Sequence, residues 1–132
     1  MSRAKHWCFT VNNWTHNELA SILSLGPTED NPESTAEYVV VGREVGESGT
    51  PHLQGFLSLR TRLRLQNVKV LGGLQRAHLE VARGTPGQAA AYCKKDGDFD
   101  ERGQCPSAAG KRTDFENLKE WIKEQDPAPT RS

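Results

Sequence analysis

The chain has 132 residues, 26% of them charged and 35% hydrophobic, and its 17 basic and 17 acidic side chains balance to zero. That length makes one domain with a core of its own, and no stretch approaches the roughly 20 apolar residues of a membrane helix. Three cysteines, Cys8, Cys93 and Cys105, without C-x-x-C spacing, argue against a disulfide frame and a structural zinc site, and read as small buried hydrophobes in a reducing compartment. The N-terminal MSRAKHWCFTV has basic residues but no apolar run of the kind a secretory signal needs.

Residues 6–13, HWCFTVNN, alternate, with Trp7, Phe9 and Val11 on one face and His6, Cys8, Thr10 and Asn12 on the other. This predicts a half-buried strand ending in a turn. Asn17 to Leu25 reads as a short helix with Leu19, Ile22 and Leu23 on its inner stripe. A polar loop follows, and then EYVVV (Glu37–Val41), a strand apolar on both faces. GREVGESGT is expected to leave the sheet as a turn-rich link into the strand of GTPHLQGFLSL, so that the two strands form a hairpin. Leu63 to Leu71 reads as a helix closed by Gly72-Gly73. AHLEVA (Ala77–Ala82) is another alternating strand, with His78 and Glu80 on its polar side. In TPGQAAAYCKKDG, Thr85 is a helix N-cap, Pro86 suits the first turn and Gln88 completes a capping box. Asp98 to Gln104 is read as a final edge strand, residues 105–112 as a linker, and Thr113 to Gln125 as an amphipathic helix with the stripe Phe115, Leu118 and Ile122.

The expected fold is therefore α+β, a split βαβ arrangement related to the ferredoxin and RRM type. A central antiparallel sheet carries helices on one face, and the site occupies the open face together with the tyrosine-bearing helix. Residues 1–104 form the main domain, and 105–132 a linker and C-terminal helix. The polar sides of the alternating strands (His6, Thr10, Asn12; His52, Gln54; His78, Glu80) should gather on that open face.

Charge is unevenly spread. Residues 60–83 hold six basic side chains, Arg60, Arg62, Arg64, Lys69, Arg76 and Arg83, against one acid, Glu80. A surface that meets a polyanion has this composition, and so does a solvated helix face.

His52 and Gln54 are alternate residues of one strand, starting roughly 7 Å apart, because a strand rises about 3.3 Å per residue. In the hairpin Glu44 can reach the same point. A carboxylate, an imidazole and an amide oxygen make a set without thiolate that suits Mg²⁺ or Mn²⁺ better than zinc. Tyr92 and Lys95 share a helix face, with Gln88 one turn earlier. A tyrosine among alanines is commonly a core residue, yet Lys94 and Lys95 mark this face as polar. A tyrosine facing a divalent-ion site points to covalent phosphoryl chemistry, with Lys95 offsetting charge on the phosphate or the phenolate.

Three blocks then stand in order: CFTVNN (Cys8–Asn13), TPHLQGF (Thr50–Phe56) and YCKK (Tyr92–Lys95). Together they resemble the three rolling-circle motifs of the HUH endonuclease superfamily, most closely those of replication-initiator (Rep) proteins of circoviruses and related circular single-stranded DNA viruses. AHLEVARGT and GKRTDF are similar to that family too. The second motif usually carries two histidines; here Gln54 replaces one, as in the circovirus-like branch. The resemblance implies that Tyr92 attacks a DNA phosphodiester, keeps the 5′ phosphate and releases a 3′ hydroxyl. It maps the metal ligands to Glu44, His52 and Gln54 and the motif-three lysine to Lys95, and it assigns origin recognition to Phe9, Thr10, Asn12 and Asn13. The substrate would be single-stranded DNA at an origin hairpin. Arg60, Arg62, Arg64, Lys69, Arg76, Arg83 and Gln88 would help to bind it. The place of action would be the host nucleus, and self-association would belong to the full-length protein. Such proteins usually continue into a helicase. G-x-x-x-x-G-K-[ST] is absent here, so the chain is expected to be a nuclease domain that uses no ATP. Two rivals remain: a non-catalytic RRM-like nucleic-acid-binding module, whose sheet would need exposed aromatics, and a metal-dependent nuclease that attacks with water.

Overall fold

The computed structural model describes residues 3–106; the helix expected at Thr113–Gln125 lies outside them. Eight elements follow one another: β1 (Ala4–Asn12), α1 (His16–Leu23), β2 (Ala36–Val45), β3 (Pro51–Leu63), α2 (Leu65–Val68), β4 (His78–Val81), α3 (Pro86–Cys93) and β5 (Phe99–Gly103). The five strands form one antiparallel sheet in the order β4-β1-β3-β2-β5. This is the expected α+β architecture with an antiparallel sheet, but the helices do not all lie on one face: α1 and α2 pack on one side and α3 on the other.

Both faces of the sheet are used, and the alternation of β1 and β3 decides how. Trp7, Phe9, Val11, Leu53 and Leu57 turn to one side and pack with Val39, Val41 and with Ile22 and Leu23 of α1; Val68 of α2 and Leu74 close the same core. A capping box between Thr15 and Glu18 starts α1. The opposite face carries Tyr38, Val40 and Phe56, on which Ala90 and Cys93 of α3 rest. The tyrosine-bearing helix thus lies on the second face and covers its apolar part.

Two boundaries differ from the sequence expectation. The strand containing EYVVV does not leave the sheet at Gly42-Arg43-Glu44. It pairs with β3 as far as Val45↔Pro51, and only the turn around Gly46 to Thr50 is free. Further on, Leu63 to Leu71 is not one helix. RTRLRL alternates with period two, β3 runs on through Leu63, and only Leu65–Val68 turns into a helix. The leucines of this segment fit a helical period as well as a strand period, which is why spacing alone points to the wrong element.

A candidate active site at the polar end of the second face

Directly opposed residues of an antiparallel ladder point to the same side. Asn12, His52 and Glu44 form one row across β1, β3 and β2, and Thr10, Gln54 and Gly42 form the next. His78 extends the second row on the β4 side and Phe99 on the β5 side. The row after that, Cys8, Phe56 and Val40, is apolar. The face is therefore divided, with a polar end made by the strand tips and an apolar part that seats α3. The polar side chains expected to gather on one face do so.

At the polar end Glu44 is the hub. Its side chain is only 10% exposed. Its Oε1 lies 3.0 Å from His52 Nε2, and its Oε2 accepts a hydrogen bond from Lys95 Nζ. The Lys95 ammonium also stands 4.2 Å from the centroid of the Tyr92 ring, within cation–π range. Burial acts to lower the Lys95 pKa. The hydrogen bond to Glu44 and the fields of Tyr92, Glu44 and Asp96 outweigh it and hold the group above its ordinary value. Lys95 is a firmly protonated cation between the tyrosine and the carboxylate. Gln54 Oε1 accepts from the Thr10 hydroxyl at 3.4 Å.

Glu44, His52 and Gln54 offer carboxylate, imidazole and amide oxygen, a hard donor set that fits Mg²⁺ or Mn²⁺. No third His, Cys, Asp or Glu joins Glu44 and His52 among the described residues. Gln54, one row further along the same face, is the residue that could add a third donor.

Tyr92 is half-exposed, at 49%, whereas the other tyrosine, Tyr38, is buried at 1%. Burial pushes the Tyr38 phenol far up, as does its hydrogen bond to Glu101. Glu101 also pairs with Lys94 at 2.7 Å, and the Lys94 ammonium lies over the Phe99 ring. This brace ties the end of α3 to β2 and β5. Sequence reasoning misses it, because Lys94 and Lys95 look alike there.

Sequence reasoning also misses Gly42. A Cβ there would lie 2.1 Å from the carbonyl oxygen of Cys93. Only glycine lets the last turn of α3 settle on β2, and that contact brings Lys95 to Glu44. The signal is present: a lone glycine inside VVVGRE marks a close backbone approach.

The remaining candidate residues fall in different places. Gln88 and Arg83 line a small hollow beside Tyr92, together with Cys8, Gln54, Ala89 and Cys93. Asn13 has φ 54°, and its N–H donates to Pro51 O at 2.8 Å. The structure does not bring Phe9 to the site; its ring is 1% exposed, in the core on the opposite face. Arg60 donates to the carbonyls of Ser34 and Pro32, and Lys69 to that of Ala77. Arg76 pairs with Glu18 and donates to the carbonyls of Asn12 and Asn13, bracing the end of β1. Arg62 and Arg64 line a second hollow with Arg3, at the far end of β3 from the site. Among the described residues, the rings Tyr38 and Phe56 are packed away in the cluster that includes α3 and are not presented for stacking.

The sequence profile of the viral replication protein family matches residues 4–96. The chain is 45% identical over 97 residues to the replication-associated protein of Beak and feather disease virus, covering 74% of this chain and 31% of that protein. It is 46% identical over 95 residues to the one from Pigeon circovirus (72% and 27%), and 37% identical over 112 residues to the one from Porcine circovirus 2 (84% and 33%). The chain spans about a third or less of the length of these relatives.

Proposed function

The chain belongs to the viral replication protein family, on its circovirus-like branch, and we propose that it starts replication by cutting and rejoining single-stranded DNA at an origin hairpin in the host nucleus. Tyr92 is the nucleophile. Its Oη forms a bond to phosphorus as the P–O3′ bond breaks; the phenol gives up its proton, and the departing 3′ oxygen takes one. The products are a 5′-phosphotyrosyl strand and a free 3′ hydroxyl. One phosphoester replaces another, so the reverse step joins strands without nucleotide energy.

The observation that carries this reading is the position of Lys95. It touches the Tyr92 ring and Glu44 at once, and Glu44 in turn holds His52. The lysine places a fixed positive charge where negative charge develops on the attacking phenolate and the phosphate, and preorganised charge of this kind commonly contributes more to such catalysis than any other effect. A Mg²⁺ or Mn²⁺ ion held by Glu44, His52 and Gln54 would act there as a Lewis acid on a phosphate oxygen. Thr10 orients Gln54 through its hydroxyl, and His52 and Glu44 orient one another.

The test is a denaturing gel. The protein is incubated with a labelled origin oligonucleotide and Mn²⁺. A label-bearing protein band should survive denaturation, and Tyr92→Phe should abolish it. Clean cutting by the Phe variant would instead establish attack by water.

A further inference from the structure

The hollow beside Tyr92 has a volume of about 230 Å³ and is lined by Cys8, Gln54, Arg83, Gln88, Ala89, Tyr92 and Cys93. Its walls are mostly apolar, as a heterocyclic ring requires and a phosphate does not. Burial pushes the thiol of Cys8 up and that of Cys93 to about 12, so both are neutral. The single formal charge in the lining is Arg83, which makes no ion pair among the described residues.

Gln88 is fixed by the start of its helix. As the third residue of α3 it closes the capping box, and its Oε1 accepts the Thr85 N–H at 2.9 Å. Gly84 leaves room for this fold-back; a Cβ there would lie 2.3 Å from Gln88 Oε1. One lone pair of the oxygen is given to the Thr85 N–H, and the –NH₂ is the part of Gln88 with no hydrogen bond among the described residues. Gln88 and Arg83 therefore present mainly donors, and Gln54, whose Oε1 already accepts from Thr10, completes the polar lining.

We propose that this hollow seats the nucleobase next to the phosphate attacked by Tyr92, and that Gln88 and Arg83 select a base with a keto oxygen at its 4 or 6 position, thymine (O4) or guanine (O6), over cytosine or adenine, which carry an amino group there. This deepens the proposed function and rests on it. A keto oxygen accepts from both donors, whereas an exocyclic amino group in the same place would set donor against donor. A base seated against the apolar walls would displace water from them and so raise the cost of the mismatch.

Gln88→Glu isolates the effect. Glutamate is a standard closing residue of a capping box, so α3 keeps its start. The free –NH₂ becomes a carboxylate oxygen, which only accepts. Oligonucleotides carrying T, G, C or A on either side of the scissile phosphate are titrated by fluorescence anisotropy. The two proteins are full-chain Tyr92→Phe and Tyr92→Phe/Gln88→Glu, so that no cutting intervenes. The readout is the ratio of affinities between bases, in which a uniform loss from the added negative charge cancels. At one of the two positions the protein that keeps Gln88 should prefer keto bases by at least about fivefold, and the Gln88→Glu protein should lose or reverse that preference. An equal ratio in both proteins, or no preference at either position, overturns the proposal; a purely helix-capping glutamine predicts that result. The gel with the wild-type chain separates the two ideas. An adduct with an unchanged ratio leaves the chemistry and removes the base seat. A changed ratio without an adduct leaves the base seat and removes the tyrosyl chemistry.

Discussion

Gly42→Ala should disable the site while leaving most of the fold intact. The added Cβ would lie 2.1 Å from the Cys93 carbonyl oxygen and about 3.2 Å from its carbon. Both neighbours are backbone, so no side chain can swing aside. Cβ atoms do not approach an oxygen closer than 3.0 Å, so the end of α3 must retreat by about 1 Å. Overpacking of this kind costs about 1–3 kcal/mol, which a domain of ordinary stability survives. The chemistry is more sensitive. A displacement of about 1 Å in reacting groups can cost roughly 100-fold in rate, and the retreat carries Tyr92 and Lys95 away from Glu44 and His52. The assay is the single-turnover rate of adduct formation, with thermal unfolding followed by circular dichroism on the same samples. Gly46→Ala is the control. It lies just past β2, where the nearest atom to a new Cβ is Thr50 O at 3.7 Å, and it should change stability by no more than about 0.5 kcal/mol. A Gly42→Ala protein that forms adduct at the Gly46→Ala rate would refute the role given to helix docking.

Other outcomes follow from the same contacts. Lys95→Met should slow adduct formation by about 100-fold or more, with Lys95→Arg recovering part of the loss; equal single-turnover rates for Met and wild type would remove the lysine from the mechanism. Arg62→Ala/Arg64→Ala should flatten the salt dependence of single-strand binding by about 0.7 log units per lost contact. Arg76→Ala should leave that slope unchanged, because its guanidinium is engaged by Glu18, Asn12 and Asn13; titrations at three salt concentrations distinguish the two. Burial acts to raise the Glu101 carboxyl, but its bonds to Lys94 and Tyr38 prevail and hold it below the usual value. Its folded pKa is depressed, so its stabilisation is present above about pH 4.3 and is lost as pH falls through the folded value. Glu101→Gln should lower the melting temperature at pH 7 and narrow the gap from wild type on acidification, as melting curves from pH 3 to 7 would show.

How legible the site is in the sequence depends on the periodicity of each segment. The two strands that carry Thr10, Asn12, His52 and Gln54 alternate cleanly, and a period of two fixes which side chains share a face. The sequence places Glu44 correctly for an incomplete reason. It reaches His52 because β2 continues to Val45, in register, and not because a loop swings it there. EVGES looks like a turn since it lacks apolar alternation, but Arg43 and Glu44 are held in the ladder by their partners on β3. RTRLRL misleads in the other direction, since alternating Arg and Leu satisfies a strand while its leucines also satisfy a helix. Cross-sheet pairings such as Lys94 with Glu101 and Arg76 with Glu18 join residues far apart in the chain, or look like ordinary surface charge. Composition therefore does not separate the basic side chains that fasten the fold (Arg60, Lys69, Arg76) from those left facing solvent.

The same geometry makes the two halves of the site separable. Glu44 and His52 are partners within one hairpin, eight residues apart, and their contact needs only the β2–β3 turn. Tyr92 arrives on a helix that begins more than thirty residues later in the chain, and Lys95 on the turn just past its C-cap rather than on the helix face that the spacing predicts; this helix is seated by Gly42, Val40, Phe56 and the Lys94–Glu101 pair. A change that lifts α3 therefore removes Tyr92, the proposed nucleophile, and its cation together while leaving the Glu44–His52 pair assembled. A change in the hairpin does the reverse. Lys95 spans both halves, since its ammonium is shared between the carboxylate of one and the aromatic ring of the other. Replacing it should weaken the coupling of the halves as well as the charge at the phosphate. For that reason the effects of Gly42→Ala and Lys95→Met on the adduct rate should fall short of additive: once α3 has withdrawn, little of the lysine's contribution is left to lose.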